Sequence, residues 1–385
     1  MPRERKVAVI TGASSGIGRA AALRFADKGW AVVLGSRRED ALTELAEECR
    51  ARGGDGIAVP TDMSNAGAVQ ALADAAVQRY GRIDVWVNNA AVGIYGPFLD
   101  IPLDDFRRLI DVNVMGYVYG ARAALEVMTG QGRGVLINVS SIVAEVPGPY
   151  TAPYAMSKAA VRSLSTSLRQ ELWLQGQKKI KVATVLPATI DTPFFRHAAN
   201  YSGRKVVAMP PVYSADKVAL AIRDLAKAPR DEVVVGGVGK AMVKQHRVTP
   251  GTVEAQMAVQ VDKTHLSRKE SAADTAGTLY QPVTDPSDPE VGGGWHGKTR
   301  TARRGLLTWA GLLGGGLLAS RLLRSGTPLS LVGSAALAKG LKLAPAPVRL
   351  VGGAALAKRL KRAPAPVRVV GRAALAKRLL SARAR

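Results

Sequence analysis

Tyr154 and Lys158 stand four residues apart in a stretch that reads as helix, so their side chains share one face. A phenol with a pKa of about 10 is a poor acid–base group at neutral pH. A neighbouring ammonium favours the phenolate and lowers that pKa. Ser141 lies 13 residues before the tyrosine. Its hydroxyl can hold a substrate oxygen at hydrogen-bond distance while the phenol transfers a proton. Asn113 lies further upstream. The set fits proton transfer to and from an oxygen atom. The Tyr-x-x-x-Lys spacing also arises on ordinary amphipathic helices, so it needs a second signal.

That signal is Thr11-Gly12-Ala13-Ser14-Ser15-Gly16-Ile17-Gly18, which follows the apolar run Val7-Ala8-Val9-Ile10. Gly12 lets the chain turn sharply out of a strand. Gly16 and Gly18 permit close approach of backbone to a pyrophosphate and of helix to sheet. The N-terminus of the next helix then offers N–H groups and a partial positive charge to phosphates. The spacing is G-x-x-x-G-x-G, not the G-x-G-x-x-G dinucleotide fingerprint.

The elements that must carry these groups alternate. Short apolar runs at 7–10, 31–34, 57–59, 85–87, 135–139, 182–186 and 232–235 read as strands. Helical patterns lie between them at 16–28, 39–52, 65–80, 103–128, 153–175 and 214–227. Apolar strands separated by helices predict an α/β fold, a doubly wound parallel sheet covered on both faces. The domain is expected to span 1–245. A polar extension and linker, partly helical, is expected over 246–297, where Asp285-Pro286-Ser287-Asp288-Pro289 and Gly292-Gly293-Gly294-Trp295 occur.

The 385 residues carry a net charge of +24, but residues 296–385 hold 19 Lys+Arg and no acid. The first 295 residues hold 35 basic and 30 acidic side chains, an ordinary balance. The basicity therefore belongs to a tail and does not make the whole chain a nucleic-acid binder. Within 298–324 lies the uncharged run 305–320, which has 16 residues and five glycines. It is shorter than the roughly 20 residues of a spanning helix. A buried or interfacial helix, a short membrane span and a soluble linker all fit it. Region 325–385 holds three units repeating every 19 residues, LVGSAALAKGLKLAPAPVR, LVGGAALAKRLKRAPAPVR and VVGRAALAKRLLSARAR. They read as short basic helices joined by proline hinges. An anionic membrane surface is the expected partner. Nucleic acid is disfavoured, since no aromatic residue follows Trp309. Solvation alone is the remaining reading.

One cysteine, Cys49, excludes a disulfide framework and a multi-cysteine metal site, and fits a reducing compartment. His197, His246, His265 and His296 show no metal-ligand spacing and are expected in surface or structural roles. No secretory signal fits ahead of the strand at residue 7, so cytoplasmic placement is expected, with membrane association through the C-terminal region.

Together the motifs resemble the short-chain dehydrogenase/reductase family of single-domain Rossmann type. The resemblance spans residues 5–240 and rests on TGASSGIG at 11–18, Asp62, Asn88-Asn89-Ala90-Ala91, Asn113, INVSS at 137–141, YAMSK at 154–158 and LPATIDT at 186–192. It implies a sheet of about seven strands and an oxidoreductase, often a homo-oligomer, that interconverts a carbonyl and a secondary alcohol with NAD(P). The substrate is then a small molecule, lipophilic ones included. Tyr154 is implied as general acid/base, and Lys158 as the cation that tunes it and binds the nicotinamide ribose. Ser141, rather than Ser140, is implied as the substrate-orienting hydroxyl, and Asn113 as the holder of a relay water. Gly12, Ser14, Ser15, Gly16, Ile17 and Gly18 would cradle the cofactor phosphates. Asp62 would meet the adenine, Asn89 and Ala90 would line the cleft, and Ile190 and Thr192 would meet the carboxamide. Phe194, Phe195 and His197 lie where relatives close over substrate. Two positions depart from the family pattern: Ala91 and Ala188 stand where glycine is usual.

At the end of the second strand an acidic residue binds the ribose 2′-OH of NAD, whereas arginine accepts the 2′-phosphate of NADP. Here Ser36 is followed by Arg37. A bidentate guanidinium–phosphate contact is expected, and NADP(H) is preferred with NAD(H) as the alternative. The competing function is a catalytically idle dinucleotide sensor or scaffold targeted by its tail.

Overall fold

The computed structural model describes residues 5–282 and 291–295. Seven strands form one parallel sheet: β1 Val7–Thr11, β2 Ala31–Ser36, β3 Asp55–Pro60, β4 Val85–Asn88, β5 Gly134–Val139, β6 Ile180–Pro187 and β7 Glu232–Val235. Their order is β7-β6-β5-β4-β1-β2-β3. The central strands are apolar because both of their faces are covered. Helices α1 (Gly16–Ala26), α2 (Glu39–Ala51) and α7 (Ala215–Lys227) close one face, through Phe25, Leu42, Leu45, Val218 and Ile222. Helices α3 (Ala66–Tyr80), α4 (Leu103–Ile110), α5 (Gly116–Gln131) and α6 (Ala152–Leu174) close the other, through Leu72, Leu109, Met128 and Leu172. The chain lays β3 at one edge and then returns to place β4 against β1. That reversal opens a crevice beyond the carboxyl ends of β1 and β4, which is where such sheets bind ligands.

The helical pattern expected over 103–128 is broken by a π-helical turn, Asp111–Met115, where the Gly116 N–H bonds the Asp111 carbonyl. Such turns occur often at functional sites. This one carries Asn113.

The chain does not leave the compact body near 245. Helix α8 (Gly237–His246) is followed by α9 (Pro250–Thr264) and by strand Leu266–Ser271, antiparallel to Arg204–Val206. Val253, Met257 and Val261 recur every fourth residue and pack with Ile142, Leu186 and Met242. Leu279 is fully buried. The stretch is polar on average, yet its apolar residues fall on one helix face, and that face decides where it goes. Segments 298–324 and 325–385, with the apolar run and the repeats, lie outside the described residues. Among the described residues no helix is long and apolar enough to cross a membrane.

Both departures from the glycine pattern are accommodated. Among the described residues Tyr150 is the one non-glycine with positive φ, so Ala91 needs no left-handed backbone. The methyl of Ala188 lies where Cβ atoms on Gly236 and Gly239 would come within 2.8 and 3.0 Å of it. Glycine at those two positions makes the room.

Candidate active site

The sheet's carboxyl edge delivers one end of the site. Gly12 leaves β1 with φ +64°, and a Cβ there would lie 2.7 Å from the Ala90 Cα. A Cβ on Gly18 would lie 2.1 Å from the Gly12 carbonyl oxygen. The turn is thus a bare backbone cradle, and Ser14, Ser15, Gly16 and Ile17 line the cavity in front of it. Ser15 caps α1 without a side-chain hydrogen bond, which leaves the helix N-terminus to face an anion. Asn89 braces the cradle by donating through Nδ2 to the Thr11 and Gly12 carbonyls at 3.0 and 3.2 Å. Ala90 donates its N–H to Thr11 Oγ1 at 3.1 Å.

The other end gathers Ser141, Tyr154 and Lys158 on the same cavity. Ser141 follows β5, while Tyr154 and Lys158 stand on α6. Burial pushes the Tyr154 phenol well above its usual range, and a hydrogen bond with the Ser141 hydroxyl pulls it back. Ser140 is engaged elsewhere, its Oγ donating to the Lys158 carbonyl at 2.7 Å. The fully buried Lys158 ammonium donates to Tyr117 Oη at 3.2 Å and the Val139 carbonyl at 3.0 Å. Burial lowers its pKa to about 7. Its Nζ lies 5.7 Å from the Tyr154 ring centroid. Asn113 is fully buried. Both Nδ2 hydrogens are used, on the Val92 carbonyl at 2.9 Å and Ser157 Oγ at 3.1 Å, and Oδ1 accepts from the Val92 N–H at 2.9 Å. The side chain therefore fastens the loop after β4 to the π-turn.

Asp62 and Arg37 lie at the far end of the crevice. Burial would raise the Asp62 carboxyl, but the Ser64 backbone, the Arg108 guanidinium and the Ser64 hydroxyl outweigh it and hold the group below its usual range. Arg108 Nη2 donates to Asp62 Oδ2 at 2.8 Å. Arg37 donates to the Thr278, Leu279 and Tyr280 carbonyls at 2.7, 3.3 and 3.0 Å. A guanidinium carries five N–H groups. These bonds leave Nε–H and one Nη2–H. Burial, and secondarily Arg108, lowers the Arg37 pKa, against the pull of Asp62.

Ile190 and Thr192 are buried beside the cradle, with Thr192 Cγ2 3.1 Å from where a Gly16 Cβ would be. Between them Asp191 Oδ1 accepts the N–H groups of Gly293 and Trp295 at 2.9 and 2.8 Å. Phe194, Phe195 and His197 line the cavity, and the Phe194 ring lies 5.3 Å from that of Tyr154. Sequence reading missed Tyr95, Met209, Met257, Val261 and the cavity face of His265. Tyr117, four residues after Asn113 on a helical pattern, had a spacing signal but no chemistry to mark it.

The short chain dehydrogenase family profile matches residues 6–202. The chain belongs to this family. It is similar to the uncharacterized oxidoreductase YxnA of Bacillus subtilis, 34% identical over 293 residues, 75% of this chain and 82% of the relative. That span is longer than the family match and reaches beyond the classical core. It is also similar to 3beta-hydroxysteroid dehydrogenase 1 of Eggerthella lenta, 35% identical over 228 residues, 57% of this chain and 86% of the relative. Among solved structures, a short chain dehydrogenase/reductase from Burkholderia phymatum in complex with NAD superposes with TM-score 0.60 and 29% identity, covering 66% of this chain and 97% of that one. An alcohol dehydrogenase from Thermococcus sibiricus complexed with 5-hydroxy-NADP gives TM-score 0.53 and 30% identity, over 60% and 96%. The cleft of this short-chain dehydrogenase, with its bare cradle, fits a nicotinamide dinucleotide.

Proposed function

We propose that this chain interconverts a carbonyl and a secondary alcohol with NADP(H), using Tyr154 as general acid/base. The observation that carries the reading is a half-buried phenol, hydrogen-bonded to Ser141 and close to the buried Lys158 side chain, on the cavity that also receives the phosphate cradle. A bound nicotinamide supplies or takes up the hydride. Ser141 holds the substrate oxygen. Tyr154 gives its proton to that oxygen in reduction and recovers it in oxidation. Lys158 would favour the phenolate through its charge and would hold the nicotinamide ribose. With the Asn113 amide fully bonded, a relay water is held by its backbone. The test is Tyr154→Phe, which should lower kcat at least 100-fold while NADPH affinity stays within about twofold. Retention of more than a few per cent of turnover would favour the idle dinucleotide sensor instead.

NADP preference is supported by Ser36, which offers no carboxylate to a 2′-OH, and by the two N–H groups Arg37 keeps. One observation favours NAD(H): the other three donors of Arg37 are bound to the extension. Kinetics with both cofactors on the wild type separates the two readings. The substrate reading is lipophilic, supported by Phe194, Phe195, Met209, Met257 and Val261 around the cavity and by the named activity of the Eggerthella relative. Self-association has an apolar surface at hand in the exposed Trp173 and Leu174. Placement in the cytoplasm, with attachment to an anionic membrane through the basic tail, completes the proposal.

A further inference from the structure

Tyr95 and His265 lie 170 residues apart in the chain and meet at the cavity wall. Tyr95 belongs to the short strand Ile94–Tyr95, and His265 caps α9. Both are buried, and both line the cavity that holds Tyr154. Their rings meet edge to face with centroids 4.9 Å apart. Tyr95 Oη lies 3.2 Å from His265 Nε2.

The direction of that hydrogen bond follows from the other side of the imidazole. His265 Nδ1 is bonded to the Val207 carbonyl. A carbonyl only accepts, so Nδ1 carries a hydrogen. Burial lowers the His265 pKa to about 4, so the ring is neutral at physiological pH and Nε2 is bare. The hydrogen in the Tyr95–His265 contact therefore comes from the phenol. Tyr95 has no hydrogen left to give, while its oxygen keeps acceptor capacity. The Phe195 ring is 5.5 Å from that of His265, Ala198, Val206 and Leu266 pack with Tyr95, and Phe194, Met209, Met257 and Val261 line the same cavity. The wall thus offers an acceptor, and among the described residues the ionisable group that acts on it is the Tyr154 phenol, with no Lys or Arg doing so.

Resting on the carbonyl/alcohol reading above, we propose that the cavity selects lipophilic ketones and alcohols bearing a second, distal hydrogen-bond donor, a hydroxyl received by Tyr95 Oη. It disfavours the same skeleton ending in a carboxylate. A carboxylate brings only lone pairs to a lone pair and loses its hydration. His265 is the positioning residue: it orients the phenol and takes its hydrogen.

The full-length protein is assayed with methyl ketones of six to ten carbons that end in a methyl, a hydroxyl or a carboxylate. Calorimetry on the matching alkanols and alkanediols, with reduced cofactor present, gives affinity without turnover. Wild type should prefer the hydroxyl series in both assays. In Tyr95→Phe the hydroxyl-to-methyl ratio of kcat/KM and of affinity should fall roughly 3- to 10-fold, one neutral hydrogen bond. His265→Leu should return the phenol hydrogen to the cavity and shift preference toward diketones, which a purely structural histidine would not do. Equal affinity for diols and alkanols in the wild type, or an unchanged ratio in Tyr95→Phe, overturns the inference. Selective diol binding with no turnover of any ketone supports it and sinks the oxidoreductase reading alone.

Discussion

Burial pushes the two members of the Tyr154–Lys158 pair in opposite directions, the phenol up and the ammonium down to about 7. Both shifts favour neutral groups, as desolvation must. The hydrogen bond from Ser141 is the contact that works against it on the phenol. Ser141→Ala should therefore lower kcat about 100-fold and move the acidic limb of the alcohol-oxidation pH profile to higher pH. An unmoved profile would leave Ser141 a substrate holder only. Arg37→Ala should weaken NADPH roughly 10- to 100-fold while sparing NADH, measured as the ratio of their KM values. His265 sets a pH window for stability. Its pKa is about 4 in the fold, against 6.5 for a solvated imidazole. Its contribution is fully present above pH 6.5 and is lost as pH falls toward 4, because only the unfolded chain takes up the proton there. The loss is on the order of 2–4 kcal/mol. Urea titrations at pH 7 and 4.5 should show a smaller pH difference in His265→Gln than in the wild type. Tyr154, Lys158 and Ser141 were legible because helix spacing and a strand end bring them together locally. The Tyr95–His265 pair was not, because its partners lie 170 residues apart and meet through packing alone.

Each central strand of the sheet was legible as an apolar run, since a strand buried on both faces has few other ways to be written. The π-turn at Asp111–Met115 was not legible, because one inserted residue leaves the helical pattern of 103–128 nearly intact. Neither was the segment 250–271, where polar residues on the outer face mask the apolar stripe. Two predictions belong to this scale. In Gly18→Ala the new methyl meets the Gly12 carbonyl, so α1 must move off the cradle. Dinucleotide affinity should fall at least tenfold, for NADH and NADPH alike, by fluorescence titration. Leu279 anchors the segment whose carbonyls hold Arg37. Leu279→Ala should cost about 2–5 kcal/mol in urea unfolding. It should also reduce the preference for NADPH over NADH about two- to fivefold, as the guanidinium loses its support. A variant that loses stability without moving that preference would show that the extension does not position Arg37.

At the scale of the whole molecule the charge divides the chain. Residues 331–385 carry 13 Lys+Arg and no acid. Each basic residue near an anionic bilayer contributes about 1 kcal/mol, less where salt screens it. The full chain should sediment with anionic vesicles and not with neutral ones, while a truncation after residue 297 should stay in solution with its activity intact. A full chain that ignores both kinds of vesicle at physiological salt would remove the membrane reading.

The extension packed on the family core bears on how such an enzyme can change. The cradle, Arg37 and the group Ser141, Tyr154 and Lys158 all lie between Gly12 and Thr192. Met257, Val261 and His265 reach the cavity from one contiguous helix and its cap. On the proposed function, chemistry and part of substrate choice are therefore written in separate stretches of sequence. Recombination within 250–271 could retarget the enzyme in one step, like exchanging a cassette. A chimera carrying a relative's version of that segment should keep its cofactor preference and reorder its substrates.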